Sequence, residues 1–403
     1  MTSRRGVYLA VLVAALGYFV DIFDLILFGV VRRPSLAELG VAADQLQARG
    51  ELLVNMQMGG LLVGGILWGI LGDKRGRLSV LFGSILTYSI ANLLNGLVHD
   101  LTQYAALRFI AGVGLAGELG AGITLVSEIL RREGRGWGTT LVATVGILGG
   151  VVAALVGSDL HWRHAYFVGG GLGLALLILR IGVRESTMFA RVVETAVSRG
   201  NFFALFHGSR LRRYLSVIAV AVPIWYVVGI LIFFSSELGR AMGMDPAPSS
   251  AKALLWSYAG LAAGDLASGT LSQLLASRKK VLALFLVLTV ASVVAYFTVA
   301  RGSLTAFYAT CAALGFATGY WAVFVTSASE QFGTNLRATA TTTAPNFVRG
   351  AVVPMTLFYQ AIRPTTGVLT GAVIVGAVAL GLAGLALWGL DETYGKDLDF
   401  VES

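Results

Sequence analysis

Charge is what this chain lacks. Of its 403 residues only 13% are Asp, Glu, Lys or Arg, while 56% are hydrophobic; a soluble domain carries about a quarter charged residues. Its 30 basic and 22 acidic residues cannot clothe the two or more soluble domains that this length would form. The single cysteine, Cys311, excludes an internal disulfide framework and any multi-cysteine metal site. The four histidines, His99, His161, His164 and His207, are scattered without metal-ligand spacing, so neither a metal nor another cofactor is expected. The sequence GDKRGR at 72–77 lacks the phosphate-cradling spacing and terminal Lys-Ser/Thr of an ATPase loop. A net charge of +8 would suggest nucleic acid as partner of a soluble protein, but the basic residues cluster between apolar runs. That pattern reports orientation in a membrane, so the expected partners are a lipid bilayer and a small molecule, not nucleic acid.

Crossing about 30 Å of hydrocarbon takes about 20 apolar residues in a helix. Seven charge-free stretches qualify: 52–72, 78–98, 137–158, 214–236, 281–300, 302–329 and 364–390. Five more qualify if they carry internal charge: 7–31, 101–130, 164–182, 251–275 and 335–362. The chain is therefore predicted to be an all-α membrane protein with twelve transmembrane helices. The first is read as retained, because two aspartates and the missing small-residue cleavage site argue against a signal peptide. Alternating the loops from an inside start leaves Arg32, Arg33, Arg49, Arg163, Arg240, Lys252, Arg301 and Arg363 outside and Arg108, Arg180 and Arg349 within helices. All other basic residues fall inside, so both termini are expected in the cytoplasm.

The chain also repeats itself. An offset of 202 residues places Gly117 on Gly319, Ser127 on Ser329, Glu128 on Glu330 and Arg135 on Arg337 without a gap. Residues 1–182 and 214–403 then form two parallel six-helix halves, joined by an arginine-rich cytoplasmic linker at 183–213.

Twelve helices in two parallel halves, with GDKRGR after the second, resemble the major facilitator superfamily along the whole chain. Within it, RFIAGVGLAGELGAGITLVSEIL (108–130), HWRHAYF (161–167), RESTMF (184–189) and DETYGKDL (391–398) are similar to signatures of sugar porters, organic-ion transporters and synaptic-vesicle-protein-2-like carriers. DIFD (21–24) is similar to the Asp-Gly-x-Asp of aromatic-acid/proton symporters, with Ile22 in place of the glycine. The second loop motif has Ser277 where an acid is expected, which makes the gate asymmetric between the halves.

Charge inside a membrane costs about 3 kcal/mol per residue on insertion scales, so such residues face an aqueous cavity or one another. Asp21 and Asp24 are three apart and are expected on neighbouring positions of one helix face. The resemblance implies that helices 1, 4, 7 and 10 line a central cavity, which pairs Asp24 with Arg108. Asp21, Asp24, Arg108 and Glu118 are the candidates for proton coupling, each also readable as a structural contact between helices. Arg349, within APNFVRG, is readable either as an attractor of an anionic substrate or as half of a helix-packing ion pair. Asp265 has no evident partner. Trp225, Tyr226, Tyr320, Trp321, Asn346 and Arg349 are the substrate-binding candidates, because concave sites combine aromatic walls with few polar groups. The gate candidates are Gly72, Asp73 and Arg77 in the loop, with the repeat-related Glu128, Arg135, Glu330 and Arg337. Asp73 and Arg77 are expected to latch the cytoplasmic ends of neighbouring helices and hold the outward-open state.

The resulting expectation is a monomeric secondary active transporter in a bacterial inner membrane, driven by the proton gradient and without catalytic residues. Proton-coupled symport of a small polar or charged metabolite is the first reading. An uncoupled facilitator or a proton/substrate antiporter is the second, and a polytopic membrane enzyme a distant third.

Overall fold

A computed structural model describes residues 4–130, 132–181, 201–396 and 400–401. No water reaches hydrocarbon, so each spanning segment must satisfy its backbone groups internally, and these apolar stretches do so as helices. The first half runs α1 (Arg4–Glu38), α2 (Leu46–Arg75), α3 (Arg77–Asn95), α4 (Leu101–Leu115), α5 (Glu118–Ile129), α6 (Arg132–Asp159) and α7 (Trp162–Leu179). The second runs α8 (Gly208–Tyr226), α9 (Ser235–Ala241), α10 (Ser250–Leu274), α11 (Arg278–Thr298), α12 (Leu304–Ala317), α13 (Trp321–Gln331), α14 (Arg337–Gly350), α15 (Val352–Thr366) and α16 (Val368–Trp388). Among the described residues ten helical stretches are long and apolar enough to span a membrane by themselves. The other two predicted spans are helical as well: α10 is more polar, and the eleventh is divided into α14 and α15.

Local chemistry sets the boundaries. Asp100, Ser249, Ser277 and Ser303 each accept a hydrogen bond from a backbone N–H in the first turn of the helix that follows. Gly76, with φ 95°, makes the turn from α2 to α3, a conformation that a side chain would strain.

Four predicted spans are interrupted. The fourth breaks at Ala116 and Gly117 and the tenth at Thr318, Gly319 and Tyr320, positions that the 202-residue offset superposes. The seventh carries Pro223 and then a π-helical turn over Val227–Ile232 before α9. Proline removes one backbone donor from the helix, and the π turn beyond it widens the helix locally. The RESTMF motif and most of the linker lie outside the described residues.

Helices approach closely where side chains vanish. A Cβ at Gly60 would collide with the Phe109 carbonyl oxygen, and one at Gly112 with that of Gln57, so α2 and α4 meet backbone to backbone. Between the halves, α2 packs along α14 and α6 along α10. Gly60→Leu is expected to destabilise the protein by about 3 kcal/mol, the upper end for overpacking. Thermal unfolding in detergent checks this, and an unchanged melting temperature would show that α2 and α4 can part freely.

Candidate functional site

A small cavity lies between the halves, lined by Tyr18 and Ile22 of α1, Ile147 of α6, Ile224, Trp225 and Val228 of the seventh span, Tyr258 and Leu261 of α10, Trp321 of α13 and Arg349 of α14. Four aromatic walls surround one cation. The π turn supplies Val228 and the break in the tenth span supplies Trp321, so both irregular segments border the cavity.

The six substrate-binding candidates divide. Trp225, Trp321 and Arg349 line the cavity. Tyr226 faces away, donating to the Ala372 carbonyl at 2.9 Å, and Tyr320 donates to the Val220 carbonyl at 3.0 Å. Asn346 donates to the Ala116 and Thr342 carbonyls, both at 2.7 Å, and packs against Gly65, so it joins the halves beside the cavity instead of lining it. Adjacent aromatics point in different directions on a helix, which is why only one of each pair reaches the space. Tyr18 and Tyr258 escaped the sequence reading. The signal for Tyr18 was its spacing of three from Asp21, a shared helix face.

The intramembrane charges are arranged differently from the expected pairing. Asp21 pairs with Arg349 at 3.2 Å, both buried, joining α1 of the first half to α14 of the second. The Arg349 guanidinium also lies 5.6 Å from the Trp321 ring centroid and 6.0 Å from that of Tyr18. Asp24 does not share Asp21's surroundings: it turns into the first half, where its carboxylate lies against Gly169 of α7. Residues three apart sit about 60° apart around a helix, neighbours on one face, and Asp21 and Asp24 fall on either side of the line where α1 turns from the second half to the first. No Asp24–Arg108 ion pair within 4 Å occurs among the described residues. Asn92 stands between them, accepting from Arg108 Nη2 at 2.9 Å. Arg108 also lies over Tyr166, 5.1 Å from its centroid, and Tyr166 shares a 2.6 Å hydrogen bond with Tyr104.

Glu118 does not face the cavity. It forms a two-pronged ion pair with Arg180, with Nη1 at 2.9 Å from Oε1, and accepts from Ser84 Oγ at 2.7 Å. Arg180 also donates to the Leu81 carbonyl at 2.7 Å. A Cβ at Gly17 would strike this pair, which therefore locks α1, α3, α5 and the end of α7 together. Bidentate geometry with the remaining lone pairs satisfied is the arrangement in which a buried charge is tolerated.

Both ends of the cavity are closed by contacts between the halves. At the end carrying the α2–α3 turn, Asp73 Oδ2 accepts from the Thr339 N–H at 2.8 Å and from its hydroxyl. Thr339 lies in the first turn of α14, so one half caps a helix of the other, with its carboxylate at the positive end of the dipole. Gly72 packs beside Ala338. Thr139 and Thr326 add a 2.9 Å bond. At the opposite end Glu237 takes Arg32 at 2.9 Å and Arg33 at 3.2 Å, and Glu51 takes Arg363 at 3.3 Å. None of these five is among the gate candidates, because exposed-looking loop charges carry no sign of their partner. The side chains of Arg77, Glu128 and Arg135 lie outside the described residues, and Arg337 is fully buried at the start of α14.

Glu330 is held within its own half, by Arg278 Nη2 at 3.2 Å and Thr393 Oγ1 at 2.9 Å. The acid missing at Ser277 comes from the tail: Glu392 accepts from the Ser277 hydroxyl, from Arg278 N at 2.9 Å and from Lys279 N at 3.3 Å, capping α11. Partial burial pushes this carboxyl up, but the hydrogen bonds from Ser277 and from the backbone of Tyr394, Arg278 and Lys279 outweigh it and hold it below the usual glutamate range.

Two repeated six-helix halves around a small central cavity, with contacts between the halves at both ends of it, are the architecture of an integral membrane transporter. The chain belongs to the Major Facilitator Superfamily, which residues 14–352 match. It is 29% identical over 314 residues to a Haemophilus influenzae protein named for metabolite transport, covering 73% of this chain and 75% of that one. It is 26% identical over 347 residues to NiaP of Bacillus subtilis, named for niacin and nicotinamide transport, covering 84% of each. The fold is similar to that of the proton:xylose symporter XylE, with a TM-score of 0.74, 15% identity and 98% of each chain covered.

Two outcomes follow from these contacts. Arg180→Ala should lower stability by about 3–5 kcal/mol by leaving Glu118 buried without its partner. Glu118→Gln with Arg180→Met should be milder, and equal melting temperatures for the two would remove the pair from the account. Because Glu392 titrates below its unfolded value, its contribution is present above the ordinary glutamate range and is lost as pH falls through the folded value. Glu392→Gln should therefore flatten the acid side of the stability curve, read as melting temperature against pH, and an unaltered slope would refute the capping role.

Proposed function

We propose that this protein is a symporter of one proton with a small aromatic or heteroaromatic carboxylate. The observation that carries the reading is Arg349, the one cation in an aromatic-walled cavity, held there by Asp21 across the two halves. A substrate carboxylate entering the cavity competes with Asp21 for the same guanidinium. When Asp21 takes a proton, Arg349 is released to bind the substrate, and the ring lies among Tyr18, Trp225, Tyr258 and Trp321.

Coupling then follows from the cost of unpaired buried charge. Proton alone leaves Arg349 without a partner, and substrate alone leaves ionised Asp21 without one; each state costs several kcal/mol. The empty carrier, with Asp21 on Arg349, and the fully loaded carrier are both neutral at this point and can exchange the closures at the two ends. In this reading the Asp73 closure is the cytoplasmic one and the Glu237 and Glu51 closures are the outer ones, an orientation that the basic loops support. The name of NiaP, which gives niacin, a pyridine carboxylate, beside its uncharged amide, supports the class. Asp24 is the second carrier candidate, being buried beside Asn92 and Arg108 without an ion pair.

The test uses nicotinate and benzoate as probes in proteoliposomes. Wild type should accumulate at least one of them under an inward proton gradient, electroneutrally and without response to membrane potential. Asp21→Asn should lose accumulation yet retain exchange, and Arg349→Ala should weaken binding about 100-fold, the worth of a charge-assisted contact of about 3 kcal/mol. Accumulation of neither probe would sink the carboxylate assignment, and wild-type accumulation by Asp21→Asn would pass the proton role to Asp24.

A further inference from the structure

Asp265 lies in α10 and is fully buried, outside the mechanism above. Its Oδ1 accepts from the Ala322 N–H at 2.6 Å. Ala322 is the second residue of α13, the helix that resumes after the break in the tenth span. Asp265 thus caps that helix from a different span, placing negative charge at its positive end. The approach is permitted by Gly319, where a Cβ would come within 2.6 Å of the Asp265 nitrogen, and by Gly264, where one would strike the Phe316 carbonyl oxygen.

The repeat separates what the fold needs from what this residue adds. The fourth span breaks at the corresponding place, and there α5 begins at Glu118 with no side chain among the described residues accepting from its first backbone N–H groups. Gly60 and Gly64 of α2 meet the fourth span as Gly260 and Gly264 of α10 meet the tenth, so the counterpart of Asp265 is Gly65, and the counterpart of Trp321 is Leu119. The break therefore stands without an acid. Acid and tryptophan occur together, in the half whose broken helix supplies a cavity wall. Trp321 is the first residue of α13, next to the capped N–H, and its indole faces Arg349 with Nε1 carrying no hydrogen bond among the described residues.

We infer that Asp265 is the positioning residue that sets the cavity's preference for a planar acid: by capping α13 it holds the Trp321 indole beside Arg349, with its N–H left for a substrate oxygen. The inference rests on the reading of the central cavity as the binding site.

The test combines a substrate-free measurement with transport. Hydrogen–deuterium exchange over residues 318–326 should speed up in Asp265→Ala and stay near wild type in Asp265→Asn, which keeps an oxygen for the Ala322 N–H. In proteoliposomes, Asp265→Ala should raise KM for nicotinate or benzoate about tenfold with kcat little changed, as expected for the loss of one cap. In a Trp321→Ala background the same substitution should add nothing. Unchanged exchange in Asp265→Ala overturns the inference whatever is transported, as does an Asp265→Asn variant that behaves like alanine. If wild type moves neither probe but exchange responds as expected, the capping stands and the aromatic-acid reading alone falls.

Discussion

The Asp21–Arg349 pair is the contact on which the rest of the molecule turns. In a low-dielectric interior neither charge is stable alone, and the two belong to different halves of the protein. The pair therefore ties the halves at the centre. On the proposed reading it is also the bond that a substrate carboxylate replaces, so that stability and exchangeability would be two properties of one ion pair.

The other buried charges are arranged so that they do not compete for this role. Glu118 and Arg180 satisfy each other with two hydrogen bonds, and Ser84 and the Leu81 carbonyl take further lone pairs and donors. Asp24 and Arg108 are kept within the first half by Asn92. The two closures also differ in kind. One end is held by a carboxylate capping a helix across the interface, a short-range bond that requires close register. The other is held by Glu237 and Glu51 with arginines, longer side chains that span a wider gap.

Duplication accounts for the scaffold, and departures from it account for the site. The broken fourth and tenth spans are the same device in both halves. Trp321, Asp265, Arg349 and the π turn beside Val228 belong to one half only, which is how a symmetric frame encloses an asymmetric cavity.

Much of this was determined by the sequence alone. Low charge and long apolar runs require helices in lipid, because backbone groups there have no other partner. The 202-residue offset and GDKRGR loop specify two halves and the position of one closure. Individual residues such as Trp225, Trp321 and Arg349 could be marked, since aromatics and cations within spans are few. Direction could not be read. Whether Asp21 or Asp24 meets an arginine, whether Trp321 or Tyr320 reaches the cavity, and whether Glu118 faces space or Arg180 depend on rotations of about 60–100° about a helix axis and on contacts between residues hundreds of positions apart. Only packing the helices against one another decides those, because the partner that makes a buried charge tolerable is a neighbour in space and not in the chain.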